Sequence, residues 1–341
     1  MHVLLAVLFL LSAMPAAATE LRLLTWADYI APAVLETFRR ETGIRVTVDP
    51  VVSITGMREK LRADPGAYDL INPPDYDIPQ LARDGLLEPI DAFRMPGYAN
   101  ILDGWRSPPY DRKNEWSVPF HWGTTSLVVD TAVWSGPLDS IALLFDPPDA
   151  LRDKVGFLVG AEETMRLALL HLGLPQCTTD PDHLDRALAL VRPLLARERI
   201  YTISDAVEAL SGDRIAVGIA WNGDALRARE RKPSLRYVYP AEGLIIWSDA
   251  LAVPRGARNR AAALRFIDFI LRPENAALQS NFSRYANAVR GSDAWMEPDL
   301  LSAPEVIVPS HVRIRSFRTC DSEQLALYAR IWDPVLLELA R

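Results

Sequence analysis

The sequence predicts an α/β protein of two lobes, each with a mostly parallel sheet flanked by helices. Short strand-like runs alternate with helical patterns from "LRLLTW" to "RIAVGIAW", which is the rhythm of βαβ units. The chain has 341 residues, of which 49% are hydrophobic, enough for two cores of ordinary size. A further series of strands and helices begins after about residue 130, and we expect the second lobe there.

The first 18 residues have the pattern of a secretory signal peptide. An apolar run from Val3 to Leu11 is followed by small residues ending at Ala18, where we expect cleavage. The run is too short to span a bilayer, and no cysteine follows it that could carry a lipid. Because only His2 stands where Lys or Arg is usual, a short buried strand is the alternative. The signal-peptide interpretation places the mature protein free in the periplasm.

The first lobe is predicted to open with the strand "LRLLTW", the helix "APAVLETFRRETG" and the strand "IRVTVD". Pro32 lies near the first turn of that helix and Gly43 just past its end, as helix boundaries prefer. A second helix around "GMREKLRAD" precedes the strand "YDLIN". The proline-rich region from Met95 to Tyr110 is predicted to be a long surface connection.

The second lobe is predicted to contain the strand "VGFLVG", the helices "EETMRLALLHLG" and "DHLDRALALVRPLLARE", and the strand "RIAVGIAW". Later in the chain, "RNRAAALRFIDFILRPENAALQ" predicts two helices separated at Pro273, because a proline ends a helix at the preceding residue. The segment "SEQLALYARIWDPVLLELA" predicts a terminal helix.

Composition and motifs exclude several classes of function. The formal net charge of -7 argues against nucleic acid as a partner. The sequence has no GxSxG, HExxH, Walker A or GxGxxG pattern, and its histidines are too scattered for a local metal site. We therefore expect no cofactor and no metal, and we interpret His121 and His171 as packed or surface residues. Paired carboxylates could still catalyse hydrolysis, so an extracytoplasmic hydrolase remains an alternative.

Cys177 and Cys320 are the two cysteines of the chain. An oxidising compartment would permit them to pair if the fold brings them together. A disulfide and two free buried thiols are both open at this stage.

An acid beside an aromatic residue recurs at the carboxyl ends of predicted strands, in "TWADY", "INPPDYD", "IAWNGD" and "IIWSDALAVP". Open α/β sheets bind ligands at those ends. Carboxylates accept charge-assisted hydrogen bonds from ammonium groups, and aromatic faces cover alkyl stems and attract cations. The pattern thus predicts a site for an organic cation with charges separated by methylenes. An amino-acid site would need an arginine, and none accompanies these strand ends in the sequence.

Each acid also has a purely structural interpretation. Asp28 and Asp224 both precede predicted helices and could be N-caps. Glu163 lies in the first turn of its helix, where the helix dipole favours an acid. These alternatives remain open for each acid taken singly.

Stretches in order along residues 21 to 290 resemble the spermidine/putrescine-binding proteins, the periplasmic receptors of polyamine ABC transporters. They include "WADYIAP", "YDLINPPDY", "VPFHWGTT", "IAWNGDA", "EGLIIWSDALAVP" and "RYANA". The resemblance implies the type II periplasmic-binding-protein fold, with a ligand cleft between two lobes and chain crossings near "TSLVVD" and "SDALAVP". It implies a first lobe of residues 19–126 and 251–316, a second lobe of 127–250, and a C-terminal helix in 317–341 that packs on the lobes.

The resemblance also implies the ligand-binding residues. Tyr76 matches a ring that lines the first lobe, and Trp247 and Asp249 match the central stacking ring and the principal ammonium-binding acid. The full set is Trp26, Asp28, Tyr29, Tyr76, Glu163, Trp221, Asp224, Trp247, Asp249 and Tyr285. Implied partners are a polyamine and the permease subunits of an ABC transporter. The missing enzyme motifs and the two-lobe pattern predict a monomeric receptor with no enzymatic activity.

Some positions depart from the family. Ala27 and Pro74 stand where members usually have hydroxyl residues, and "LVGAEE" lacks an acid that some members place before the matching glutamate. Trp247 and Tyr76 favour a spermidine-type receptor, whereas Asp28 favours a putrescine type. Agmatine and thiamine are rival ligands, and a sensor subunit that signals rather than transports is the alternative role.

Overall fold

A computed structural model describes residues 20–27, 29–51, 53–158, 161–195, 199–202, 205–309, 312 and 320–339. The predicted signal peptide and Asp28 lie outside these residues. In the described part of the chain, no helix is both long and apolar enough to cross a membrane.

The strands are β1 (Glu20–Trp26), β2 (Arg45–Val51), β3 (Leu70–Ile71), β4 (Ser117–Asp130), β5 (Val155–Leu158), β6 (Arg199–Tyr201), β7 (Val217–Trp221), β8 (Leu235–Tyr237), β9 (Ile245–Ala252) and β10 (Ala286–Asn287). The helices are α1 (Pro32–Thr42), α2 (Ile54–Ala63), α3 (Ile78–Arg83), α4 (Ala142–Phe145), α5 (Ala161–His171), α6 (Pro181–Leu195), α7 (Ala206–Ser211), α8 (Asn222–Arg231), α9 (Arg260–Ile270), α10 (Pro273–Ser283), α11 (Pro298–Leu301) and α12 (Ser322–Leu339).

One mixed sheet runs through both lobes in the order β2-β1-β3-β9-β4-β7-β5-β6, with β8 and β10 also paired to β4. The outer pairs β1/β2, β1/β3, β5/β6 and β5/β7 are parallel. The central pairs β3/β9, β4/β9 and β4/β7 are antiparallel. Strand β4 leads from the first lobe to the second and β9 returns. Of the stretches expected at the crossings, "TSLVVD" lies within β4, and the first five residues of "SDALAVP" lie within β9.

The helix boundaries follow from local chemistry. Pro32 is in the first turn of α1, and Gly43 ends the helix in the left-handed region at φ 71°, with its N–H donating to the Arg39 carbonyl. Arg272 is extended, and Pro273 begins α10, so the predicted separation of two helices at this proline is confirmed.

Two large hydrophobic cores correspond to the two lobes. The first lies around β1 and β3 under α1, α9 and α10, with a smaller cluster under α2 and α3. The second joins β5 and β7 to α5, α6 and α8. Helix α12 belongs to the second core, because Tyr328 and Trp332 are fully buried in it. The exact lobe boundaries given above stay a prediction.

A disulfide joins Cys177 to Cys320, with 5.0 Å between the two Cα atoms. The hypothesis of a pair is confirmed, and the alternative of two free thiols is wrong. Around it, the Tyr328 hydroxyl donates to the Gln176 carbonyl at 2.7 Å and the Gln324 amide donates to the Cys177 carbonyl at 2.9 Å. The bond therefore fixes the start of α12 to the loop before α6.

The region from Met95 to Tyr110 is not simply a surface connection. It forms two short 3-10 turns, Pro96–Asn100 and Asp103–Trp105. Ile101 and Trp105 are buried in the first core, and the Trp105 ring lies 5.5 Å from the ring of Trp122. The proline content predicted a loop, but it could not predict that the side chains of Ile101 and Trp105 would be buried and anchor the loop to the core.

Candidate functional site

The predicted site residues come from both lobes and from the strands that join them. Trp26 ends β1, and Tyr29 follows it. Trp221 ends β7 and Asp224 lies in the first turn of α8. Trp247 and Asp249 were expected at the carboxyl end of a strand, but the structure places both of them inside β9. Because β9 continues from one lobe into the other, the middle of this strand occupies the position that a strand end has elsewhere.

Asp249 is a buried carboxyl held by two neutral donors. The Tyr29 hydroxyl donates to Oδ2 at 2.7 Å, and the Trp26 indole also donates to this side chain. Burial raises the pKa of Asp249 to about 7, and both hydrogen bonds oppose that rise only in part. The acid is therefore poised between its neutral and charged forms near neutral pH.

Four aromatic rings form a connected wall beside Asp249. The Trp247 ring lies 5.8 Å from that of Trp221 and 5.1 Å from that of Tyr285. The Tyr285 ring is 6.0 Å from that of Tyr29. Tyr285 is almost fully buried, whereas both tryptophans remain partly exposed. Such a wall can cover methylene groups and attract a cation.

Gly123 of β4, which was not among the predicted site residues, allows the Trp247 indole to lie close against the sheet. Gly123 of β4 pairs with Trp247, and a Cβ at this position would lie 2.4 Å from the indole and 2.4 Å from Oδ1 of Asn222. A glycine inside an otherwise apolar strand is typical of a close approach, and this signal could have identified it. Asn222 Oδ1 also accepts the Thr124 N–H at 3.1 Å, which fixes the start of α8 against β4.

Glu163 faces the site from the second lobe. It lies in the first turn of α5, and its Oε1 accepts the Trp221 indole N–H at 3.2 Å. Loss of water around the carboxyl raises its pKa, and the hydrogen bond from Trp221 counteracts this. Glu163 therefore orients the Trp221 ring and places its own carboxyl group beside the aromatic wall.

Asp224 is already paired. Its Oδ2 accepts the Tyr285 hydroxyl at 3.3 Å, and its Oδ1 accepts from the guanidinium of Arg227. The inference that no arginine accompanies the strand ends is thus wrong, because residues three apart on a helix are neighbours and Arg227 reaches back one turn. The N-cap interpretation of Asp224 is also wrong, since Trp221 occupies that position.

Tyr76 lies in the 3-10 turn Asp75–Asp77 that follows β3. Pro74, just before this turn, pairs with Asp249 in an isolated bridge, so the turn is adjacent to the central acid.

The buried ring of His121 packs edge-on at 5.0 Å from the Tyr29 ring. Burial lowers the pKa of His121 to about 3, so it is a neutral packing group.

The chain is similar to known proteins over most of its length. A profile described as "Bacterial extracellular solute-binding protein" matches residues 33–306. The spermidine/putrescine-binding periplasmic protein of Salmonella typhimurium is 32% identical over 253 residues, which are 74% of this chain and 72% of that protein. The putrescine/agmatine-binding protein of Pseudomonas aeruginosa is 27% identical over 340 residues, 94% and 92% of the two chains.

A solved structure described as a putative spermidine/putrescine ABC transporter from Listeria monocytogenes has a TM-score of 0.85 at 24% identity. The alignment covers 94% of this chain and 99% of that one, and it supports the two-lobed fold. The matched profile and the shared fold together define a two-lobed solute-binding protein of the type II class. The chain belongs to the bacterial extracellular solute-binding proteins, and within them to the spermidine/putrescine-binding periplasmic family.

Proposed function

We propose that this protein captures a polyamine in the periplasm for an ABC transporter. The observation that carries the proposal is Asp249, a buried acid whose hydrogen-bond donors among the described residues, Tyr29 and Trp26, are neutral, beside a wall of aromatic rings. A buried carboxylate without a cationic partner is unfavourable, and an ammonium group removes that cost. Each charge-assisted hydrogen bond contributes about 1.5–3 kcal/mol.

The proposed ligand has its amines at both ends of an alkyl chain. Asp249 lies on β9, and Glu163 faces the cleft from the second lobe beside Trp221. Methylenes between the two amines would lie against Trp247 and Tyr285, where cation–π attraction adds roughly 0.5–2 kcal/mol for a desolvated cation. The relatives named for spermidine, putrescine and agmatine support this class of ligand.

The rest of the proposal concerns delivery. We propose that residues 1–18 are removed as a signal peptide and that the mature chain is a monomer that presents its ligand to permease subunits. Binding without chemical change of the ligand fits a solute-binding protein. Among the described residues, no group of three or more His, Cys, Asp or Glu is arranged to hold a metal ion.

The test is calorimetric titration with putrescine, spermidine and butylamine at matched ionic strength. Butylamine has one amine and leaves one acid unpaired, so it should bind at least thirty-fold more weakly than putrescine, which corresponds to about 2 kcal/mol or more. Asp249→Asn should remove most of this difference. The matched control Asp149→Asn changes an acid that is 94% exposed and should behave as wild type. Equal affinity for butylamine and putrescine in wild type would contradict the proposal.

A further inference from the structure

A largely buried arginine stands beside one acid of the site. Arg227 lies one turn after Asp224 in α8, and its guanidinium forms an ion pair with Oδ1 of that acid. Its Nη1 also donates to the Ser283 carbonyl at 3.4 Å, at the end of α10. The side chain of Asp224 is 6% exposed and that of Arg227 is 33% exposed. Screening by water is therefore weaker for this pair than for an open surface pair.

The acids of the site differ in the charge of their partners. Among the described residues, Asp249 accepts side-chain hydrogen bonds from Tyr29 and Trp26, which are neutral. Glu163 accepts a hydrogen bond from the neutral Trp221 indole, and the positive charge of Arg166 also favours its charged form. Asp224 forms a hydrogen-bonded ion pair with the guanidinium of Arg227.

An ammonium group approaching Asp224 therefore meets an ion pair rather than a free carboxylate. The positive guanidinium offsets the attraction of the acid, and Tyr285 occupies its other oxygen. Spermidine carries three charges and putrescine two, so the additional ammonium of spermidine gains most where the cleft offers an additional uncompensated acid. Like charges brought together in a low-dielectric site repel strongly.

We propose that Arg227 is a specificity-determining residue. By neutralising Asp224, it lowers by one the number of carboxylates in the site that can each hold an ammonium group, and it favours dications such as putrescine over trications such as spermidine. The inference rests on the proposed polyamine function and adds the number of charges that the cleft accepts. Arg227 acts through Asp224 and is not itself a ligand contact.

The experiment measures the ratio of the putrescine and spermidine dissociation constants by calorimetry at fixed pH and ionic strength. Arg227→Gln frees the charge of Asp224 and should shift the ratio toward spermidine by about tenfold or more, the size expected for one added charge contact. Arg227→Lys keeps the charge and should stay near wild type. The double variant Asp224→Asn with Arg227→Gln removes both charges and should return the ratio to the wild-type value.

The matched control is Arg229→Gln. Arg229 is on the same helix and pairs with the buried Glu305 instead of an acid of the site, so its loss should leave the ratio unchanged. If Arg227→Gln does not fold, Asp224→Asn serves in its place, because an unopposed Arg227 should shift the ratio toward putrescine.

A ratio within about twofold of wild type in folded Arg227→Gln, or a double variant that keeps the shifted ratio, overturns the inference. These outcomes leave polyamine binding itself intact. Absence of binding of both polyamines by the wild type would instead overturn the proposed function, and the inference with it.

Discussion

At the scale of single residues, Asp249 is the group whose chemistry differs most from that of an exposed acid. Burial raises its pKa to about 7 from an ordinary value of 3.8, so it holds a proton about half the time at neutral pH. An ammonium ligand requires the charged form. Binding must therefore compete with a proton, and two measurable effects follow.

The first effect concerns affinity. Below pH 7 the Asp249 carboxyl of the free protein holds the proton, so each unit by which the pH falls should weaken putrescine binding by about tenfold. Above pH 8 the affinity should level off. Calorimetry at pH 6 and pH 8 measures this change. Repeating the titration at pH 7 in buffers of different ionisation heat should reveal that a fraction of a proton is released per ligand bound. Asp249→Asn should have a flat profile, and a flat wild-type profile would contradict the expectation.

The second effect concerns stability. A pKa raised from 3.8 to about 7 means that the folded state binds this proton more tightly than the unfolded state. Stability from this group is fully present below pH 4 and is lost as pH rises to 7, because the charged form is buried. Asp249→Asn should thus stabilise the ligand-free protein at pH 8, by on the order of 2–4 kcal/mol, and change little at pH 4. Urea unfolding at both pH values checks this, and a variant less stable than wild type at pH 8 would contradict it.

At the scale of elements, the strands β4 and β9 carry the site, and their close approach depends on Gly123. Gly123→Ala would place a methyl group 2.4 Å from the Trp247 ring. We expect the indole to move, with a loss of about 1–3 kcal/mol in stability and weaker binding of diamines and monoamines alike. Gly104→Ala is the control, since its Cβ would meet no atom within 4 Å. Thermal unfolding and putrescine titration of both variants provide the measurement; unchanged affinity in Gly123→Ala would refute the role given to this glycine.

The sequence predicted most elements of the fold because their signals are local. Pro32, Gly43 and Pro273 mark helix ends by their own backbone preferences. The strand-exit pattern predicted the places of Trp26 and Trp221 at the ends of β1 and β7, whereas their role in binding stays a prediction. Other features depend on partners distant in sequence. Whether Cys177 meets Cys320 needs three-dimensional distances, and the sequence could not supply them. The ion pair of Arg227 with Asp224 is a local contact between residues three apart on α8, so its signal lies in the helix that follows the strand and not in the strand end itself.

At the scale of the whole molecule, the disulfide attaches the C-terminal helix to the second lobe and closes a span of 143 residues. Cross-links that close long spans restrict the unfolded chain most, and this one should contribute on the order of 2–5 kcal/mol to stability. The Cys177→Ser/Cys320→Ser variant should therefore unfold at lower temperature but bind putrescine with wild-type affinity. Reductant should lower the melting temperature of the wild type and not that of the variant. A variant as stable as oxidised wild type would contradict this.

The position of Asp249 inside β9 has a mechanical consequence. Strand β9 pairs with both β3 and β4, so we expect a rotation of one lobe against the other to turn about this strand and its neighbour β4. Asp249 would then lie on the hinge axis, whereas Glu163 and Tyr76 would move with their lobes. Under the proposed function, an ammonium group bound to Asp249 would keep this partner at every opening angle. We therefore expect the frequency of lobe opening to set the dissociation rate of the ligand, while the acid that first captures it keeps a fixed position.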